Sequence, residues 1–242
     1  MMTADDFLNG QILLIDKPLH WTSFQAVNKI KWAIIKNLKL KKIKIGHAGT
    51  LDPLATGLLV ICTGKFTKNI SELQAETKTY TGTLRLGSTT PSYDLETEID
   101  QIFPTGHITS QLIDEKRQQF LGEITQYPPV FSAVKKDGKR LYEMARNGEE
   151  VSEIPLRTVE IEKFDLQEAD FPDLHFEVVC SKGTYIRSLA HDFGKSLGSG
   201  AHLTALRRTQ SGQFSANNAL TPDEFIEKNI PQRNKNYEKS MV

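Results

Sequence analysis

Apolar residues along this chain fall into short blocks whose spacing switches between the strand period and the helix period. Residues 11–17 open with a short apolar run that stops at Pro18, which reads as a buried strand. Thr22 and Gln25 then have capping-box spacing, and Val27, Ile30, Ile34 and Leu38 recur at three- and four-residue intervals. They predict a helix over about 23–38 whose other face carries lysines. Residues 39–44 alternate lysines with Leu40 and Ile43, the pattern of a strand edge. The run 58–62, bounded by Gly57 and Gly64, reads as a second buried strand, and 78–87 alternates like a third. A helix is expected over 109–121, and strands over 158–161 and 174–180. Residues 180–194 pass from strand through Gly183 to helix, and 221–226 reads as one capped helix. Separated strands with interspersed helices predict an α+β fold: a mixed, largely antiparallel sheet with flanking helices and a cleft crossing it.

A chain of 242 residues suits one large domain, or one domain with a small appendage. Thirty basic and thirty acidic residues cancel, but they are unevenly spread. Residues 11–70 carry ten lysines against Asp16 and Asp52, a balance of +8. Residues 143–177 carry eleven acids against Arg146, Arg157 and Lys163, a balance of −8. A basic face for a polyanion and a pair of solvated surfaces fit that distribution equally. Cys62 and Cys180 are too few for a disulfide framework, and no CxxC or HExxH spacing offers a metal site. The acidic start has no apolar signal core, and no apolar run approaches membrane-spanning length. A cytoplasmic, reduced protein without metal or cofactor, acting as a monomer away from membranes, is the expectation. Gly64-Lys65 lacks the Walker spacing and is no phosphate loop.

The stretch with most chemical content is 46–60, Gly-His-Ala-Gly-Thr-Leu-Asp-Pro-Leu-Ala-Thr-Gly-Leu-Leu-Val. It sets one carboxylate, Asp52, on a glycine-rich turn locked by Pro53, with His47 five residues earlier. An isolated Asp-Pro would be a turn whose carboxylate bonds its own backbone. The full string, however, resembles the catalytic signature of the TruB-type tRNA pseudouridine synthases. Four further strings follow in that family's order. Residues 11–23 resemble its opening, with Lys17 near the active site. Residues 78–87 resemble its second motif, whose tyrosine, here Tyr80, lies against the target base. Residues 180–194 resemble the segment whose arginine, here Arg187, pairs with the catalytic aspartate. Residues 200–214 resemble the last motif, whose leucine, here Leu206, packs on the base from the other face.

The resemblance implies a pseudouridine synthase fold with a central RNA-binding cleft and a catalytic domain over 1–214. It also implies isomerisation of the T-loop uridine at position 55 of tRNA, with Asp52 indispensable, no cofactor, and the T stem-loop as partner. His47 would take the place of the flipped base in the RNA stack. Residues 123–152, with aromatics among Lys135, Lys136, Lys139 and Arg140, resemble the family's RNA-binding thumb; a solvated hairpin is the plainer reading. Lys41, Lys42, Lys44, Arg207 and Arg208 complete the expected RNA contacts. Many bacterial members continue into a PUA domain; here 215–242 reads as a short helical tail, disordered from Gln232. Three rivals stand beside this reading: a non-catalytic RNA-binding or RNA-folding protein, a hydrolase using Asp52 with His47, and a pseudouridine synthase acting on another RNA.

Overall fold

The computed structural model describes residues 1–132, 135–136, 139–140, 144, 154–168 and 170–231. Half of the expected thumb, residues 133–134, 137–138, 141–143 and 145–152, and the tail from Gln232 lie outside the described residues. The helices are α1 (Ala4–Asn9), α2 (Ser23–Asn37), α3 (Ile70–Ala75), α4 (Ser110–Gln118), α5 (Ile186–Ser196) and α6 (Pro222–Asn229). The strands are β1 (Ile12–Lys17), β2 (Ile45–His47), β3 (Ala55–Thr63), β4 (Lys78–Leu86), β5 (Ser88–Thr89), β6 (Gln101–Ile102) and β7 (Gly122–Gln126). They continue with β8 (Lys135–Lys136), β9 (Lys139–Arg140), β10 (Arg157–Glu168), β11 (Asp173–Cys180), β12 (Ala201–Ser211) and β13 (Phe214–Ser215). The chain forms two compact units, Met1–Glu76 with Arg208–Val242, and Thr77–Arg207.

In the first unit β1 and β3 pair antiparallel, from Ile12 opposite Cys62 to Lys17 opposite Gly57. Burial alternates along β1, as a strand with one face inward requires, whereas β3 is buried at every position but Thr56. Helix α2 starts where its capping box predicts: the Thr22 hydroxyl accepts from the Gln25 amide, and the Gln25 side chain accepts from the Thr22 amide. Its inward residues Ala26, Val27, Ile30 and Ile34 share a core with Ile15 of β1 and Leu59 and Ile61 of β3. Phe225 and Ile230 complete that core, and Leu220 exchanges backbone hydrogen bonds with Leu14 and Asp16. The helical part of the C-terminal segment is therefore built into this unit.

One expected strand is absent. Residues 40–44 have no regular structure, and the chain reaches β2 only at Ile45. Lys39 adopts φ 55° just past the end of α2, a left-handed turn that redirects the chain before any strand can pair. The segregation read from the alternation survives without the strand. Ile43 is buried and Leu40 packs on the core, while Lys41, Lys42 and Lys44 are exposed.

In the second unit the strand order is β12–β4–β11–β10–β7. β11 lies antiparallel to β4, with Val178 opposite Tyr80, and to β10, which bulges between Ile161 and Lys163. β8 and β9 form a small antiparallel ribbon, with Lys135 opposite Arg140 and Lys136 opposite Lys139. Helix α5 packs Ile186, Leu189 and Phe193 into the core beneath the sheet. There Phe120, Phe164 and Phe193 meet edge to face, with ring centroids 5.5–6.4 Å apart. Phe193→Ala removes the ring common to the two shorter contacts from a fully buried site. It is expected to lower unfolding stability by about 3–5 kcal/mol, measured by urea denaturation; a loss below about 1 kcal/mol would mean the three rings do not act as a packed unit.

Candidate active site

Asp52 stands on a turn closed by its own carbonyl, which accepts from the Ala55 amide at 3.1 Å. Pro53 occupies the second position of that turn, where its fixed φ is wanted. The preceding residue is clamped to the start of α2. The Ser23 hydroxyl accepts from the Leu51 amide at 2.8 Å and lies 3.1 Å from the Leu51 carbonyl, to which it donates. The two hinge glycines of the turn, Gly49 and Gly57, both have φ 99°, a conformation costly for any residue with a Cβ. Gly46 serves differently: a Cβ there would come within 2.8 Å of the Ile70 side chain, so close approach is its reason.

Two buried cations frame this turn. Lys17 has no exposed surface and donates its ammonium to the carbonyls of Pro18 (2.8 Å), Trp21 (2.5 Å) and Pro53 (3.4 Å). Burial pushes its pKa down to about 8; the Asp52 charge opposes the shift and the Arg208 charge adds to it. Arg208, 1% exposed, donates Nε to the Leu58 carbonyl (2.7 Å) and Nη2 to the Gly49 carbonyl (3.1 Å), bridging the two ends of the acid loop. This differs from the expected phosphate contact: the guanidinium is inside the protein, holding the loop. His47 ends β2, and burial, reinforced by the Arg208 charge, holds its imidazole below the ordinary value. It is therefore neutral near pH 7. A partly exposed carboxylate on a rigid turn, in a positive field, is suited to act as a nucleophile or a base.

The other expected site residues lie in the second unit. Tyr80 of β4 and Leu206 of β12 are both partly buried against the core of that unit. Arg187 sits in the first turn of α5, where the helix dipole disfavours a cation, and is 3% exposed. Its guanidinium donates to the carbonyls of Ser92 (3.1 Å) and Phe131 (2.9 Å), and its Nε lies 3.7 Å from the Asp94 carboxylate. Asp94 is itself buried and accepts from the Glu96 amide. Sequence reasoning missed it, because Asp94, Glu96, Glu98 and Asp100 recur at even spacing and nothing local marks the first as interior. The loop that carries it is held at Tyr93, whose ring stacks on His191 at 3.9 Å and whose carbonyl accepts from the Leu203 amide. Of the remaining expected RNA contacts, Lys41, Lys42 and Lys44 are exposed and Arg207 is partly buried. The side chains of Lys135, Lys136, Lys139 and Arg140 lie outside the described residues. Among the described residues no group of three His, Cys, Asp or Glu could hold a metal ion, and no helix is long and apolar enough to cross a membrane.

The depressed Lys17 pKa gives a pH signature. Below pH 8 the ammonium is charged in both folded and unfolded chains; between 8 and 10.5 the folded chain releases its proton first. Stability therefore rises with pH across that window. Its expected contribution between pH 7.5 and 9.5 is about 2 kcal/mol, read as the difference in pH dependence of denaturation between the parent and Lys17→Met. Parallel pH dependences for the two would show that Lys17 does not titrate in that window.

Residues 36–186 match the TruB family pseudouridylate synthase (N terminal domain), and residues 187–241 match the tRNA pseudouridylate synthase B C-terminal domain. The chain is 64% identical over 220 residues to tRNA pseudouridine synthase B of Flavobacterium johnsoniae, covering 90% of this chain and 96% of that protein. It is 55% identical over 228 residues to tRNA pseudouridine synthase B of Parabacteroides distasonis, covering 93% and 97%. Its fold is similar to that in the crystal structure of a Cbf5-Nop10-Gar1 complex, with a TM-score of 0.67 at 32% identity. That alignment takes in 91% of this chain and spans about half, 54%, of the matched chain. With a family model matched over residues 36–186 and a relative 64% identical over 90% of the chain's length, the chain belongs to the TruB family of pseudouridylate synthases.

Proposed function

We propose that this protein is an isomerase that converts the uridine at position 55, in the T loop of tRNA, to pseudouridine, with Asp52 as the essential carboxylate. The observation that carries the reading is the Asp52 turn, fixed by Ser23, Pro53 and Arg208 beside the buried Lys17 ammonium. The names of its close relatives support tRNA as the substrate. Uridine and pseudouridine are isomers. The N1–C1′ bond breaks, the base turns, a C5–C1′ bond forms, and the C5 proton leaves as N1 gains one. That balance calls on no oxidant or reductant.

The target base must leave the stack before its glycosidic bond can be reached. Tyr80 and Leu206 then hold the extruded base, one offering a flat face and the other an apolar one. Asp52 acts on the base or the sugar as a nucleophile, or removes a proton from the sugar. Arg187 is the cation that the family resemblance assigns to the catalytic aspartate. Neutral His47 fills the gap left in the RNA stack, a role that suits an uncharged ring. Lys41, Lys42, Lys44, Lys135, Lys136, Lys139, Arg140 and Arg207 contact the phosphates of the T stem-loop. The reaction takes place in the cytoplasm and is carried out by the monomer.

The test uses tRNA tritiated at uridine C5. The parent protein is expected to release label to water from one nucleotide, mapped to the T loop. Asp52→Asn is expected to lower release by at least about 10⁴-fold, roughly 5–6 kcal/mol of barrier, while binding tRNA within a fewfold of the parent. Label retained by the parent, or released by the Asn variant at the parental rate, would defeat the assignment. Release from a nucleotide outside the T loop would keep the chemistry and move the substrate.

A further inference from the structure

Helix α2 carries a face that neither the core nor the acid turn accounts for. At 100° per residue, Ala26, Val27, Ile30 and Ile34 point to one side and are buried. Trp32 points directly away from them and is 64% exposed; Phe24, toward the same outer side, is 69% exposed. An indole at the middle of the solvent face is left largely uncovered by the fold. The charge around it is of one sign: no Asp or Glu occurs between Asp16 and Asp52. Lys36 lies one turn beyond Trp32 on the outer face, the partly exposed Lys31 precedes Trp32 at the side of the helix, and the exposed Lys39, Lys41, Lys42 and Lys44 follow. Asp223 of α6 does reach α2, but its carboxylate is taken by Lys29 at 2.5 Å. Among the described residues neither Lys31 nor Lys36 forms an ion pair.

Exposed aromatic rings set among unpaired ammonium groups are the chemistry of base stacking with phosphate contact. A second copy of the chain would bring the same lysines against this face and be repelled. The face also begins at the acid turn, because Ser23, one residue before Phe24, holds both the amide and the carbonyl of Leu51. From Phe24 to Trp32 the helix rises about 12 Å, roughly the reach of a few nucleotides.

We propose that the outer face of α2 is a second contact surface for the substrate RNA. Phe24 and Trp32 stack on unpaired bases near the target nucleotide, and Lys31, Lys36 and the 39–44 run hold the phosphates between them. The proposal rests on the reading of Asp52 as the site of uridine isomerisation, and its test separates the two.

The chain has two tryptophans, so Trp21→Phe leaves Trp32 as the sole indole reporter. Unmodified tRNA transcript is expected to quench its emission in a saturable titration, whereas heparin, a polyanion without bases, competes for binding without quenching. In tritium-release assays Trp32→Ala is expected to raise the KM for tRNA at least about fivefold, the lower end for one stacked base. Trp32→Phe, which keeps a ring, stays within about twofold. Lys31→Ala with Lys36→Ala flattens the slope of log KM against log salt by about 1. Because Trp32 is 64% exposed and outside the buried core cluster, the melting temperature of Trp32→Ala is expected to stay near the parental value, so a raised KM is not a folding defect. Trp32 emission unmoved by saturating tRNA would overturn the proposal. So would a parental KM for Trp32→Ala, or a change of oligomeric state in that variant. A parent that releases no tritium sinks the catalytic reading alone, since the quenching titration still decides the fate of this surface.

Discussion

Two cations with almost no exposed surface, Lys17 and Arg208, determine how the acid loop of this protein is built. A charge removed from water must be hydrogen-bonded and opposed, or it will not stay charged. Both spend their donors on backbone carbonyls, Lys17 on Pro18, Trp21 and Pro53, and Arg208 on Leu58 and Gly49. Carbonyl dipoles satisfy the donors without supplying a full negative charge. Asp52 supplies one, and its field works against the desolvation that depresses the Lys17 pKa. The same contacts that bury the cations thus fix the loop from Gly49 to Leu58 and keep its carboxylate in a positive field.

The second unit meets the same constraint with other groups. Arg187 is buried at the N-terminal end of α5, against the helix dipole, and is held by two carbonyls and by the Asp94 carboxylate. A guanidinium in that place has five donors to satisfy in a fixed plane, which orients it closely. The loop from Thr90 to Asp94 accepts a positive φ at Tyr93 to bring Asp94 within reach. Such backbone strain persists because neighbouring contacts over-determine it, here the His191 stack and the Leu203 amide. Around this loop, charge burial and backbone strain fall on Arg187, which the family resemblance also singles out, and on Asp94 and Tyr93 beside it.

Much of this was legible locally. The capping boxes at Thr22 and Thr221, the apolar runs of β1 and β3 and the Asp-Pro turn depend on residues within a few positions of one another. The segment 39–44 shows where alternation misleads: its lysines are exposed while Leu40 and Ile43 turn inward, but a left-handed residue at Lys39 redirects the chain and no strand forms there. Pairing is a tertiary event, and periodicity alone does not supply the neighbouring strand.

From its residues alone the chain determined the helices α2, α4, α5 and α6, the strands β1, β3, β4, β10 and β11, and its membership of a family of pseudouridylate synthases. Tertiary structure decided which charges went inside. Arg207 and Arg208 are neighbours in sequence with the same side chain, yet only Arg208 is fully buried, because successive residues of a strand face opposite ways. Asp94 and Glu96 look equivalent in sequence, yet Asp94 is the one beside Arg187, ninety-three positions further on. Short-range order is encoded by side chains that touch along the chain. The partners of a buried charge are set by contacts between distant segments, and those exist only once the core has formed.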